Sequence, residues 1–286
     1  MADIRGVGKP ITYSDEGSPI EEFMQNLKKE WAARRREPRD QAERELLGRW
    51  LGYRGREELE CIVGSAAYAY AHFAGEMDSE WRYILADHIG TEAGHGWGYI
   101  RQASLVDPSR DHTQPDPEFQ QQYGVYPSQT HAALMRRDFL SYLFAGNMWP
   151  YGHCTAATIQ CIAITMPEVL DFETRVVEAE ERGHHDAALQ KIHDYVWQLI
   201  ERYGEGYVRQ RIAEIDAAAL NSGSRITFDP PRRDFLQKYF QVPIENTSQF
   251  LAWREYLYLN VLGFPPEPVH IKTWPKEVPQ PSIVAA

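Results

Sequence analysis

Glu92-Ala-Gly-His95 and Glu181-Arg-Gly-His184 each set a carboxylate three residues ahead of an imidazole, with a glycine just before the histidine. On a helix, residues i and i+3 share a face, so each pair can aim at one metal ion. Two such pairs on facing helices can hold two ions, the donor arrangement of carboxylate-bridged di-iron bundles. Context has to carry the pattern, because 26 Glu and 10 His in 286 residues give about one E-x-x-H by chance. A third match, Glu267-Pro-Val-His270, sits in a proline-rich stretch that cannot be regular helix and is set aside as a decoy. The first two lie in segments that read as helix.

The elements that must position them follow from caps, breakers and composition. Residues 1–17 read as a flexible arm. Ser18-Pro19 with Glu21 and Glu22 starts a helix that runs to about Arg36, where Glu37-Pro38 stops it. Further helices are expected over about 39–51 and 55–75. Asp78 or Ser79 can cap the next, about 79–106, which carries the first motif. Residues 107–128, rich in Pro, Asp, Gln and Gly, read as a long crossover loop. Helix is expected again over about 129–165, kinked at Pro150, and over 167–203 with the second motif. Gly204-Glu-Gly206 interrupts, another helix ends near Asn221, and a last one is expected at about 247–262. Residues 264–286 hold six prolines and read as an extended tail. No segment alternates as a strand would, so the fold class is all-α: one helical-bundle domain over 18–263 between the arm and the tail.

Helices 55–75 and 79–106 form a hairpin that turns near Glu76. Reflection of Glu92 through that turn lands on Glu60, an acid at the edge of an apolar run, with Glu57 and Glu58 as local competitors. A carboxylate entering a core needs a partner, and a metal is one. The same reflection through Pro167 takes Glu181 to His153. A carboxylate is the standard occupant there, but none lies between Asp138 and Glu168. His153 is therefore the candidate sixth ligand, against the alternative of a core histidine beside Pro150. His88, one turn before Glu92, and Glu180, next to Glu181, are placed to orient ligands. His185 competes with His184, since Glu181 and His185 are also spaced i, i+4. Trp97, Tyr99, Trp149 and Tyr151 are candidates to line a pocket beside the metals. Glycines at 94, 96, 98 and 183 allow a close approach of backbone or ligand.

A net charge of −11 argues against nonspecific nucleic-acid binding, which needs a basic surface. Three cysteines make no framework of pairs and suit a reducing compartment. The N-terminus lacks an apolar stretch, and the longest apolar run, residues 61–75, is too short to span a bilayer. The chain reads as cytoplasmic, with no membrane partner; a homo-oligomer is left open.

Residues 91–99, TEAGHGWGY, resemble the D-E-A-G-H-G segment of the phenylacetyl-CoA epoxidase catalytic subunit family. Glu180-Glu181-Arg-Gly-His184 resembles that family's second E-E-x-x-H segment, and the spacing from Glu60 to Glu92 is similar. By this resemblance Glu60, Glu92, His95, Glu181 and His184 match the family's iron ligands. Thr91 stands where the family has an aspartate that orients a ligating histidine, and His153 stands near its remaining carboxylate. The resemblance covers about residues 55–190. It implies a ferritin-like bundle that activates O2 at two irons, with manganese admissible in one position. The expected reaction is oxidation of a small organic substrate by hydroxylation, epoxidation, N-oxygenation or desaturation, with electrons from an external donor. Three other readings compete. They are a haem-oxygenase-like di-iron oxidase with a labile second iron, a metal-storage or metal-binding bundle without an organic substrate, and a helical interaction domain without metal in which the motifs are surface Glu–His pairs.

Overall fold

Asp40, Asp78 and Asp138 each accept a hydrogen bond from the backbone N–H three residues on, at 2.9, 2.8 and 2.7 Å. Each thereby satisfies one of the donors that a helix start leaves unpaired and fixes where a helix begins. The chain was analysed as a computed structural model, which describes positions 22, 25, 26 and 29 and residues 32–123, 129–146, 148–149, 163–222, 230–241 and 247–272.

Helix α1 (Gln41–Glu57) runs through a π turn (Glu58–Ile62) into α2 (Val63–His72). After a short 3-10 turn at Ala74–Glu76 the chain reverses into α3 (Ser79–Val106). Then come α4 (Pro117–Tyr123), α5 (Gln129–Met135) and α6 (Phe139–Ala145). Helix α7 (Pro167–Phe172) passes through a second π turn (Glu173–Val177) into α8 (Glu178–Tyr203). Helices α9 (Glu205–Asn221), α10 (Pro230–Phe240) and α11 (Thr247–Leu257) follow, the last ending in a π turn at Tyr258–Leu262. Among the described residues there is no strand, only a parallel bridge between Arg36 and Ile164. The chain is an all-α protein.

Several expectations change. The helices expected at 39–51 and 55–75 are one rod, because a π turn absorbs the irregularity between them without breaking the backbone bonding. The crossover contains α4, whose cap Asp116 accepts from Phe119 N–H at 3.0 Å and pairs with Arg49 at 2.7 Å. Of the helix expected over 129–165, the described stretch 129–146 holds two short helices, since Asp138 caps a new start and α6 ends at Gly146. Residues 150–162, with Pro150, Tyr151, His153, Cys154 and Cys161, lie outside the described residues, as does the arm at 1–17. Helix α10 was not foreseen. Gly204, at φ 88°, supplies the left-handed residue that separates α8 from α9. Of the tail, residues 264–272 lie along the bundle with Val269 and Ile271 buried, and Arg254 and Asn221 hydrogen-bond the carbonyls of Glu267 and His270. No helix among the described residues is long and apolar enough to cross a membrane.

The apolar interior falls into two clusters. One is built around Trp50, Tyr53, Tyr99, Phe119, Tyr123 and Val177; the other around Ala66, Leu85, Phe139, Tyr142, Ala188 and Ile192. The three long rods each pass from one cluster to the other. They do so between Tyr53 and Ala66, between Leu85 and Tyr99, and between Val177 and Ala188. Those three intervals contain Glu58, the first metal motif and the second. The polar residues form a layer across the middle of the bundle.

Rods α1 and α3 approach closely enough that side chains would not fit between them. A Cβ on Gly55 would stand 2.5 Å from the Gly96 carbonyl oxygen, and one on Gly96 would stand 2.8 Å from that of Gly55. A Cβ on Gly98 would collide with the Phe172 ring, whereas Gly94 faces open space. Gly96→Ala should therefore lower stability by about 1–3 kcal/mol through overpacking. Gly94→Ala should raise it by up to about 1 kcal/mol, because alanine is the better helix former. Chemical denaturation of the two variants checks the pair; equal effects would contradict the packing.

Candidate metal centre

Helix α3 presents His88, Glu92 and His95 on one face, at i, i+4 and i+7, and all three are buried. Helix α8 faces them with Glu181, His184 and His185. The first rod contributes Glu58, whose Oε1 is held by Arg54 Nη2 at 2.5 Å.

Glu92 is the centre of the arrangement. Its Oε1 lies 3.4 Å from His88 Nδ1 and its Oε2 lies 3.4 Å from His95 Nδ1. His95 Nδ1 is 3.7 Å from Glu181 Oε1, and His88 Nδ1 is 3.5 Å from His184 Nδ1. Two groups of donors result, His88–Glu92–His184 and Glu92–His95–Glu181, and within each the donor atoms lie no more than 4.8 Å apart. Donors about 2.1 Å from one ion stand roughly 3.0–3.4 Å from each other, close to the separations found. Glu92 belongs to both groups and offers one oxygen to each, as a bridging carboxylate does.

The outer ring nitrogens fix which nitrogen is free to bind. Thr91 Oγ1 lies 3.0 Å from the Asp87 carbonyl oxygen and 3.1 Å from that of His88, so its proton is engaged there. It therefore accepts from His184 Nε2–H at 2.8 Å. His95 Nε2–H donates to Glu180 Oε2, also at 2.8 Å. Both rings consequently turn an unprotonated Nδ1 inward, the tautomer a metal requires. His95 Nδ1 and both oxygens of Glu92 are buried without a hydrogen-bond partner. Lone pairs facing lone pairs in a dry interior need a proton or a cation between them.

Electrostatics point the same way. Burial, and after it the Glu181 and Glu58 carboxylates, push Glu92 well above the usual carboxylate range. Burial brings His88 down to about 3 and lowers His184 as well. Burial thus favours neutral His88 and His184, and a bound cation would reverse the penalty on the carboxylates.

The structure brings together Glu92, His95, Glu181 and His184. Thr91 and Glu180 occupy the orienting positions. His88, expected to orient a neighbour, is itself in one donor group. Glu60 is not in the cluster: it is exposed, and Glu58 is the buried acid of that turn. The hairpin's centre is residue 75, one earlier than assumed, so the residue opposite Glu92 shifts by two. His153 lies outside the described residues. His185 Nε2 stands 3.5 Å from the second oxygen of Glu181. Glu267 pairs with Arg209 and His270 is exposed, so the third motif is part of the tail's attachment. Trp97 is 53 % exposed and cannot line an internal pocket, whereas Tyr99 and Trp149 are buried.

One further acid escaped the sequence reading. Glu173, fully buried at the start of the second π turn, faces Tyr99. Burial raises its pKa well above the usual 4.5, with Glu58 and Glu181 adding to the rise. The folded chain then binds this proton more tightly than the unfolded chain. Stability therefore falls as pH rises above about 4.5, until the folded pKa is passed. Glutamine has no such proton. Glu173→Gln should gain stability relative to the wild type as pH is raised from 5 to 8, measured by urea denaturation of the metal-free proteins. A difference that does not change with pH would contradict this. No protein-family model, curated protein sequence or solved structure matches the chain.

Proposed function

We propose that this chain is a non-haem di-iron oxidoreductase that uses O2 to oxidise a small organic substrate. The single observation that carries the metal centre is Glu92, a fully buried carboxylate shared by two groups of imidazole and carboxylate donors. The donors are carboxylates and imidazoles, neither group includes a cysteine, and such a set suits Fe(II) and Mn(II). The step from metal to O2 chemistry rests on the resemblance of residues 91–99 and 180–184 to the phenylacetyl-CoA epoxidase catalytic subunit. That resemblance also supports a ferritin-like arrangement of the bundle and an external electron donor.

His88, Glu92 and His184 would hold one iron, and Glu92, His95 and Glu181 the other, with Glu58 beside the second. Bound irons supply the electrons and open coordination positions through which O2 oxidises an adjacent molecule. The chain's own residues do the rest. Thr91 and Glu180 keep the protons of His184 and His95 on Nε2, so that each Nδ1 stays free. The two apolar clusters exclude water from either side of the polar layer. Tyr142, buried in the second cluster, lies close enough to Glu92 for that charge to help raise its pKa, after burial.

Three imidazoles in the two groups favour a second reading, the haem-oxygenase-like di-iron oxidase, in which one iron is labile.

Anaerobic loading with Fe(II) should stop at two irons per chain. His95→Ala, His184→Ala and Glu58→Ala should each lose most of at least one iron, whereas Glu60→Ala and His270→Ala should keep both. Metal analysis reads the outcome. With a reductant, O2 and a panel of small organic molecules, the loaded protein should yield an oxidised product. Iron uptake that continues far beyond two per chain would instead mark a storage bundle.

A further inference from the structure

Arg54 is a guanidinium placed inside the protein, one turn before Glu58 on α1, with only 11 % of its side chain exposed. Its two arms divide between Glu57 and Glu58, and its charge lies 5.9 Å from the centre of the Tyr99 ring. Glu57 has a second cation, Arg232, at 3.4 Å, so Arg54 is not needed to neutralise it. Glu58 has Arg54 on one side. On the other it comes within hydrogen-bonding reach of Glu92, and it feels the charges of Glu181 and His95. The Glu58 carboxylate is thus held between a fixed guanidinium and one of the two donor groups.

We propose that Arg54 is a positioning residue for the metal centre: by holding Glu58 Oε1 it presents the other Glu58 oxygen to the ion bound by Glu92, His95 and Glu181. This rests on the metal-centre reading above. The π turn starts at Glu58, and the Val63 N–H bonds its carbonyl, so the backbone there is fixed from both directions. The side chain, with three rotatable bonds, is held from behind by Arg54. A guanidinium suits this task because it stays charged at any working pH and grips a carboxylate in a planar fork. Holding a ligand from behind in this way is worth about 10–100-fold in metal affinity at known sites. The effect should fall on the half of the centre that His95 and Glu181 serve, whose charges act on Glu58.

Titration of the metal-free full chain with Co(II), followed by calorimetry and visible absorption, tests this without O2 chemistry. The wild type should bind two Co(II). Arg54→Met should bind one as the wild type does and the other about 10–100-fold more weakly. Glu58→Gln should lose the same ion, and the double variant should be no weaker than Glu58→Gln alone, because the two residues act in series. Arg54→Lys should fall between. Should Arg54→Met fail to fold, Arg54→Gln/Glu57→Gln removes one charge of each sign from the cluster and must show the same one-ion loss. Two ions bound with wild-type affinity by the Arg54 variants, or losses that multiply in the double variant, would overturn the proposal and leave the metal centre standing. Absence of Co(II) binding in the wild type, or two ions retained by Glu92→Gln, would overturn the metal centre itself.

Discussion

Glu92 cannot sit ionised in this interior by itself, and that constraint organises the rest of the molecule. An unpaired carboxylate in an apolar interior is prohibitively unfavourable, and here Glu58 and Glu181 crowd it further. Two of the neighbouring imidazoles give no relief as hydrogen-bond donors. Thr91 and Glu180 have already committed the protons of His184 and His95 to the outer nitrogens. A proton, or a cation between its oxygens and the inward Nδ1 atoms, would satisfy Glu92. Metal binding and the packing of the middle of the bundle are then one problem, and ions that bind only the folded chain stabilise it.

The scaffold meets this demand by splitting its core. Two apolar clusters enclose a polar layer, and each of the three long rods delivers its charged residues where it crosses from one cluster to the other. Gly55 and Gly96 let α1 and α3 approach until backbone meets backbone, which brings Glu58 to Glu92. Two of the three described π turns fall in this region, at Glu58–Ile62 and Glu173–Val177, and each begins with a buried glutamate. A π turn inserts a residue without ending the helix, so it can turn an acid inward while the flanking apolar residues keep their faces.

Much of this was legible in the sequence. Spacing alone put Glu92 with His95, and it set Glu181 and His184 on one face of α8, where i and i+3 lie together, although those two fall in different donor groups. Asp78 marked the start of α3 by its capping chemistry. Glu60 was misplaced because counting across a hairpin assumes a symmetric turn, and a one-residue error in its centre selects a residue on the opposite side of the helix. His88 was underrated, although its i, i+4 spacing from Glu92 already put it on the ligand face. Glu173 gave no local signal, since its burial depends on Tyr99 and Phe172 packing two turns from the motif. Arg54 stands i, i+4 from Glu58, a spacing open to the sequence, but only tertiary packing shows that the pair is buried. Helix α10 was passed over because two prolines open it, which is where proline is best tolerated.

Metal identity and chemistry follow from the donors, not from the bundle, because a fold of this kind hosts many activities. The central claim is that Glu92 bridges two ions. Anomalous diffraction from crystals of the Mn(II)- or Fe(II)-loaded protein tests it most directly. Two peaks should flank the Glu92 carboxylate, about 3.5–4 Å apart, one against His88 and His184 and the other against His95 and Glu181. A single peak remote from Glu92, or no peak between α3 and α8, would contradict it.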